Sequence, residues 1–386
     1  MSPAASPPSS PADGVALHRV RVDGEAIVYR LYDVGYEIHI DRALDLLASS
    51  APERVRPVRG EAQAIQIKNP PITVILGTER MSVGARAVDA ECSARIFDFG
   101  VVSLRLRVSA PPGMPWTEYA SFGNALDVSV NLTPIFEQHL RLLVDRIAPA
   151  IERRAIAPVT EDYVVFRITR LADPQGGKVP PSALPDDDII PLLLNERREL
   201  SAAARKELLP HRFSYYDDDL AILTWDNALI VEPAAEDTDI QYILEFANAQ
   251  LLELRVYDAQ LDAELPRMYD RAEVARKTGI ALFRRYSSLL AELQALVADS
   301  TEPVERVENS LKVTDDVYLA RVYSAALEIF RGKDWRKGID RKLAIIRETY
   351  AMLNAEAQAR RSEILEVAIV VLIVAELAVA LFVRGR

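Results

Sequence analysis

A run of twenty residues near the end of the chain, ILEVAIVVLIVAELAVALFV at 364–383, constrains the fold more than any other stretch. At about 1.5 Å of helical rise per residue it covers roughly the 30 Å of a bilayer's hydrocarbon core. Arg360 and Arg361 precede it and Arg384 and Arg386 follow it, flanks able to snorkel into headgroups. A helix that is apolar on every side is a buried one, in a large core or in lipid. The run therefore predicts one C-terminal transmembrane helix over 364–383. The N-terminal stretch MSPAASPPSSPADG has no charged n-region and no apolar h-region, so residues 1–14 read as a disordered tail and not as a secretory signal. With no signal in front and a span at the back, the expected topology is tail-anchored and single-pass. The body would face the cytoplasm, at a bacterial inner membrane or, in a eukaryote, the mitochondrial inner membrane.

Within the run Glu376 sits roughly 10 Å inside the nearer edge of the hydrocarbon at the usual helical rise. An ionised carboxylate there is costly, so it must be protonated or meet a polar partner on a neighbouring helix. Ala375, Ala378 and Ala380 stand beside it and would let helices approach. Glu376 is therefore the candidate intramembrane helix contact, with another copy or another protein as the partner.

Between the tail and position 236 the chain alternates short strand and helix patterns. Two strands are expected at 15–22 and 26–32 around the turn pair Asp23-Gly24. Pro70-Pro71 split two apolar runs. Ala94 to Phe97 and Val101 to Val108 read as a hairpin. In its second strand Val102, Leu104, Leu106 and Val108 alternate with Ser103, Arg105 and Arg107, which predicts one buried face and one wet face. Thr133-Pro134 opens a helix to 151. The segment 172–188 is rich in Pro, Gly and Asp and reads as an internal linker, and 189–209 is helical in pattern. Trp225-Asp226-Asn227 reads as a tight hairpin loop. The fold class is thus an α+β body over 15–235, of one or two subdomains.

From 237 to 363 the pattern is helical throughout. Leu244, Ala247, Leu251, Leu254, Leu261, Leu265 and Met268 recur at spacings of three and four or their sum, and Leu282, Tyr286, Leu289, Leu293 and Leu296 form a second segment. Pro266 and Gly279 predict a kink or turn between them. Ile339, Leu343, Ile346, Tyr350, Leu353 and Ala357 carry the same rhythm into the apolar run. Such periodicity means helices packed lengthwise, as a coiled coil or an antiparallel helical stalk.

The net charge of −11 argues against direct binding of nucleic acid. One basic cluster departs from it: Arg331, Lys333, Arg336, Lys337, Arg341 and Lys342, a candidate patch for phosphate in RNA or lipid headgroups, weighed against an ordinary solvated helix face. The single cysteine, Cys92, excludes a disulfide framework. No phosphate-binding glycine loop or H-E-x-x-H is present, and His18, His39, His139 and His211 are scattered. The runs Asp186-Asp187-Asp188 and Asp217-Asp218-Asp219 lack the alternating ligands and turn glycine of a calcium loop and read as solvated loop charge. Catalytic, cofactor and metal residues are therefore expected to be none.

Three stretches carry a resemblance. RIFDFGVVSLRL at 95–106, YILEFANAQLLELRVYDAQLD at 242–262 and RRSEILEVAIVVLIVAEL at 360–377 resemble, in order and spacing, the "required for meiotic nuclear division"/YagE family. The family's tryptophan after the valine run is absent, with Ser103 and Arg105 in that region. The resemblance implies a non-enzymatic membrane-attached protein, and its mitochondrial relatives support organellar translation. The expected function is a membrane scaffold or tether, with the lipid bilayer and a second copy or a protein as partners. An ion-transport subunit with a long stalk helix and an enzyme of unknown class are the alternatives.

Overall fold

The computed structural model describes residues 20–50, 52–54, 65–67, 69–196, 209–233, 238–277, 311–313 and 316–384, besides 198, 200, 201, 203, 204 and 291. The expected tail at 1–14 and the leucine pattern at 282–296, apart from 291, lie outside them. The chain divides into two compact units, one of Met1–Glu253 with Val307–Gly332, the other of Leu254–Arg306 with Lys333–Arg386.

The first unit is built on a ten-stranded mixed sheet. In chain order the strands are β1 (Arg21–Asp33), β2 (Glu37–Ile38), β3 (Glu53–Arg54), β4 (Ile65–Ile67), β5 (Ile72–Val83), β6 (Arg86–Ile96), β7 (Val101–Ser109), β8 (Met114–Pro115), β9 (Ile151–Glu152), β10 (Thr160–Ala172), β11 (Arg212–Phe213), β12 (Leu220–Leu223), β13 (Asn227–Val231) and β14 (Leu311–Val313). The main sheet runs β11-β12-β13-β10-β1-β7-β6-β5-β3, with β8 added to β1. The pair β10–β13 is parallel and the other pairs are antiparallel. Helices are α1 (Ile40–Leu47), α2 (Trp116–Asn124), α3 (Thr133–Ile147), α4 (Asp186–Leu194), α5 (Asp239–Lys277), α6 (Val317–Ile329) and α7 (Gly332–Arg384).

One sheet face carries the apolar core. Val28, Leu104, Leu106, Ala94 and Phe166 pack there with Trp116 and Tyr119 of α2 and Phe136, Leu140 and Val144 of α3. Trp116 donates its indole N–H to the Asp188 carbonyl at 3.0 Å, and the Tyr119 hydroxyl donates to the Glu25 carbonyl at 2.8 Å. Trp116 and Tyr119 thus keep their polar ends satisfied in the core.

Several local readings change in three dimensions. Asp23-Gly24 does not turn the chain: β1 runs straight through with a register shift against β10. Gly24 is instead a close-approach position, where a Cβ would stand 2.5 Å from the Arg167 carbonyl oxygen. The helix expected over 189–209 starts earlier and ends at Leu194, because Asn195 takes the left-handed conformation at φ 49°. Pro266 lies inside the continuous helix α5. The three aspartates 186–188 form the first turn of α4, where carboxylates favour the helix dipole. Thr133 does not cap α3 with its side chain; its hydroxyl accepts from Arg30 Nη1 at 3.0 Å.

The largest correction concerns the end of the chain. Among the described residues no helix is long and apolar enough to cross a membrane. The part of the apolar run whose side chains are described, 365–378, holds Glu366 as well as Glu376. Each carboxylate adds to the cost of placing this stretch in hydrocarbon. The expected C-terminal transmembrane helix, the tail-anchored single-pass topology and the membrane localisation drawn from it are overturned.

In the second unit α5 and α7 share an apolar seam of Leu254, Tyr257, Leu261 and Met268 with Ile339, Leu343, Ile346 and Leu353. Lys342 Nζ closes it laterally, donating to Asp258 Oδ1 at 2.7 Å and lying 2.6 Å from Asp262 Oδ1.

Asp33 at the end of β1 gives a first prediction. Its Oδ1 accepts the Gly35 N–H at 3.1 Å, but burial, opposed only by that bond, pushes the carboxyl up to about 6. A carboxyl whose pKa is raised by folding adds stability below about pH 4 that is lost as pH rises through about 6. Asp33→Asn should therefore gain about 1–3 kcal/mol at pH 7.5 and almost nothing at pH 4. Urea denaturation of both proteins at the two pH values measures it. A difference that is the same at both would show that Asp33 titrates normally.

Candidate functional site

The second face of the sheet is where sequence and structure part. Ser103, Arg105 and Arg107 of β7 are the expected wet side. Ser103 is fully buried and Arg105 nearly so, because the N-terminal part of α5 lies over this face. From α5 come Gln241, Glu245, Asn248, Gln250 and Glu253, all buried. From the sheet come Ser93, Arg95, Ser103, Arg105 and Arg167. The result is a buried layer between sheet and helix in which these polar groups stand among apolar side chains such as Ile27, Leu31 and Phe246.

Its ion pairs are specific. Arg95 Nη1 donates to Glu245 Oε2, while the Arg95 guanidinium lies 5.1 Å from the Tyr242 ring centroid and its Nε reaches Thr73 Oγ1 at 3.4 Å. Arg167 Nη1 donates to Glu25 Oε1 at 2.8 Å, with Arg107 Nη1 3.7 Å from the same oxygen. Beside them Phe97 and Phe99 stack at 5.2 Å and both meet Phe246 of α5 edge-on. Burial pushes the Tyr242 phenol well up, so it stays neutral. These groups fix α5 on the sheet.

Cys92 points into the apolar core, where burial, reinforced by Glu79, pushes its thiol up to about 12. A thiol so placed is inert. His139 is held by Glu79, Nε2 to Oε1 at 2.9 Å, and His39 stands 3.5 Å from Glu37. Among the described residues no group of three or more His, Cys, Asp and Glu side chains is arranged to hold a metal ion.

Half of the basic cluster is engaged in ion pairs. Arg331 stacks on Trp225 at 5.7 Å. Arg336 pairs with Asp340 at 3.2 Å, Lys337 with Asp334 at 3.8 Å, and Lys342 is taken by Asp258 and Asp262. Lys333 and Arg341 are exposed.

Two surface features are open. The first is a cleft of about 720 Å³ walled by Leu184, Asp186, Arg212, Phe213, Asp217 and Asp219. It brings together the two aspartate runs, which are separated by some thirty positions and meet only because α4 and β11–β12 lie side by side. No local signal reveals that. The second is the described apolar part of α7. Leu365, Val367, Ile369, Val370, Val371, Leu372, Ile373, Val374 and Leu377 are all more than half exposed, and Glu376 is exposed among them.

The comparisons with known proteins bear on the sheet unit. The chain is similar to the Uncharacterized protein MJ0711 of Methanocaldococcus jannaschii, 29% identical over 223 residues, which is 57% of this chain and 66% of that protein. The chain thus spans just under two thirds of that relative's length. No solved structure matches. The match replaces the resemblance to the meiotic nuclear division/YagE family: three short motifs shared in order are weaker grounds than an alignment across a domain, and nothing found supports that family. Residues 23–238, from within β1 to the threshold of α5, match the family described as "Uncharacterized protein MJ0711, N-terminal domain", and the chain belongs to that family.

Proposed function

We propose that this protein is a non-enzymatic scaffold that assembles with further copies of itself through α7. The observation that supports this is the apolar surface of α7 at 365–377. Six successive residues, 369–374, are more than half exposed. At 100° per residue they point in every direction around the helix. An apolar surface of that kind needs a cover. Copies of the same helix supply one of matching length. The exposed Ala375 and Ala378 let helices close in, and Glu376 among them acts as the polar residue that fixes register. The seam that α5 and α7 already form shows the same kind of lengthwise packing within one chain.

The test uses the full chain with Val371→Cys, since Cys92 is buried and unreactive. Mild oxidation should give a disulfide-linked dimer, and sedimentation should show concentration-dependent association. Val371→Asp combined with Ile373→Asp should return the chain to a monomer with unchanged helicity. A chain that stays monomeric, or that floats with phosphatidylcholine vesicles while its introduced thiols fail to cross-link, overturns the reading.

A further inference from the structure

The sheet unit has a second open surface, unrelated to α7. The cleft beside α4 continues past Phe213, which also walls a second cleft of about 420 Å³ formed by Val317, Ala320, Arg321, Ser324 and Glu328 along α6. Phe213 is common to both, and further aromatic side chains stand close by. Tyr215 and Tyr216 meet edge-on at 4.8 Å, Tyr215 lies 5.4 Å from Tyr318, and Arg321 stands 5.9 Å from the Phe213 ring. Tyr215, Tyr216 and Val317 are 64%, 55% and 77% exposed. Tyrosine, phenylalanine and arginine gathered round a groove are the composition of protein-binding hot spots.

Charge decides what such a groove accepts. Asp186, Asp217, Asp219, Asp316 and Glu328 line it against Arg212 and Arg321, and Arg212 is already engaged by Asp186 at 2.6 Å. Among the described residues no ion pair engages Asp217, Asp219, Asp316 or Glu328. Asp219 and Asp316 are oriented by backbone amides, Asp219 accepting from Tyr215 N at 2.7 Å and Asp316 capping α6 through Tyr318 N and Leu319 N. The Tyr318 phenol senses the result: burial raises its pKa, and Asp219, Glu232 and Asp316 add to the rise.

We propose that this groove binds a basic segment of a partner protein, one that alternates Lys or Arg with apolar side chains. The cations would face Asp217, Asp219 and Glu328, and the apolar side chains would lie on Phe213, Tyr215 and Val317. Phosphate-bearing partners are repelled by the excess of carboxylates. A second copy is a poor occupant because the chain carries a net charge of −11. A small polyamine would leave the aromatic side chains unused.

Fluorescence anisotropy of the full chain with a labelled dodecapeptide of alternating lysine and leucine tests this. The wild type should bind it, more weakly as salt rises from about 50 to about 500 mM, and should ignore an alternating glutamate–leucine peptide. Asp217→Asn with Glu328→Gln, both exposed side chains, should weaken binding about tenfold or more at low salt. The same change of charge at Asp89→Asn with Glu91→Gln, exposed on β6, should leave affinity within about twofold. Phe213→Ala should weaken binding with little change in the salt slope. Circular dichroism and thermal melting confirm that each variant folds, and Asp217→Asn alone serves if the pair does not. Equal loss from both double variants would mean attraction to an acidic protein in general and overturns the site. Full competition by spermidine, or binding that survives all three changes, overturns it as well.

Discussion

Glu245→Ala should cost the sheet unit about 3–5 kcal/mol, the range for removing one partner of a buried ion pair. The Glu245 side chain is 1% exposed and that of Arg95 5%. Truncation removes the carboxylate to which Arg95 Nη1 donates and leaves the guanidinium buried beside the Tyr242 ring and Thr73. Water does not reach it cheaply, because Phe97, Phe99 and Phe246 stack beside it. Domains are stable by about 5–15 kcal/mol, so the loss is a third or more of the total. Replacing both partners, Arg95→Met with Glu245→Leu, should restore most of it, since an apolar pair of like volume removes the desolvation cost as well as the attraction. Urea denaturation measures the size. Hydrogen exchange of the β6 and β7 amides shows whether α5 has lifted. A loss under about 1 kcal/mol would be that of a solvent-screened pair and would mean that the layer is wet.

The same layer explains what was legible in the chain and what was not. Strand β7 alternates as read, and Val102, Leu104, Leu106 and Val108 do face the apolar core. A period of two says which residues share a face but not what covers the other face. The clue lay in α5, whose first fifteen residues interleave Gln241, Glu245, Asn248, Gln250 and Glu253 with apolar positions. Acids on a helix and arginines on a strand are complementary, yet only the sheet order brings 95 to 245. The seam of α5 and α7 was legible because Leu254, Leu261, Ile339 and Ile346 repeat at regular intervals, a signal that survives without tertiary knowledge. Asp23-Gly24 misled because a glycine at a turn and a glycine under a neighbouring carbonyl look alike in sequence. Hydropathy at 364–383 misled by weighing apolar content alone, while the run holds two glutamates, Glu366 and Glu376. The acidic groove was the least legible feature: Asp186, Phe213 and Glu328 come from three separate elements, and each alone is an unremarked surface position.

Gly100→Ala should be nearly as damaging, by about 3 kcal/mol or more, and for a reason confined to the backbone. Gly100 closes the β6–β7 hairpin at φ 98°, outside the small left-handed region that other residues tolerate. A Cβ there would lie 1.9 Å from the Gly35 carbonyl oxygen. That oxygen belongs to main chain and has no rotamer by which to yield. The Gly35 segment is itself pinned to the hairpin, with Val34 N donating to Gly100 O at 3.0 Å and Ile38 N to Asp98 O at 2.8 Å. Conformational strain of about 1–3 kcal/mol and overpacking of a similar size both apply. Gly84→Ala separates the two. Gly84 has φ 59° and nothing within 4 Å of an added Cβ, so only the left-handed term acts and about 1–2 kcal/mol is expected. The consequence reaches the helix. The Gly100 turn carries Phe97 and Phe99, which grip Phe246, so relief of the overlap by moving the hairpin must loosen α5 on the sheet. Gly100→Ala should thus raise exchange at the buried amides of α5 as well as lower the melting temperature, whereas Gly84→Ala should do only the second. Equal stability loss in the two variants, with α5 protected in both, would show that the hairpin accommodates a side chain and that the Gly35 contact is slack.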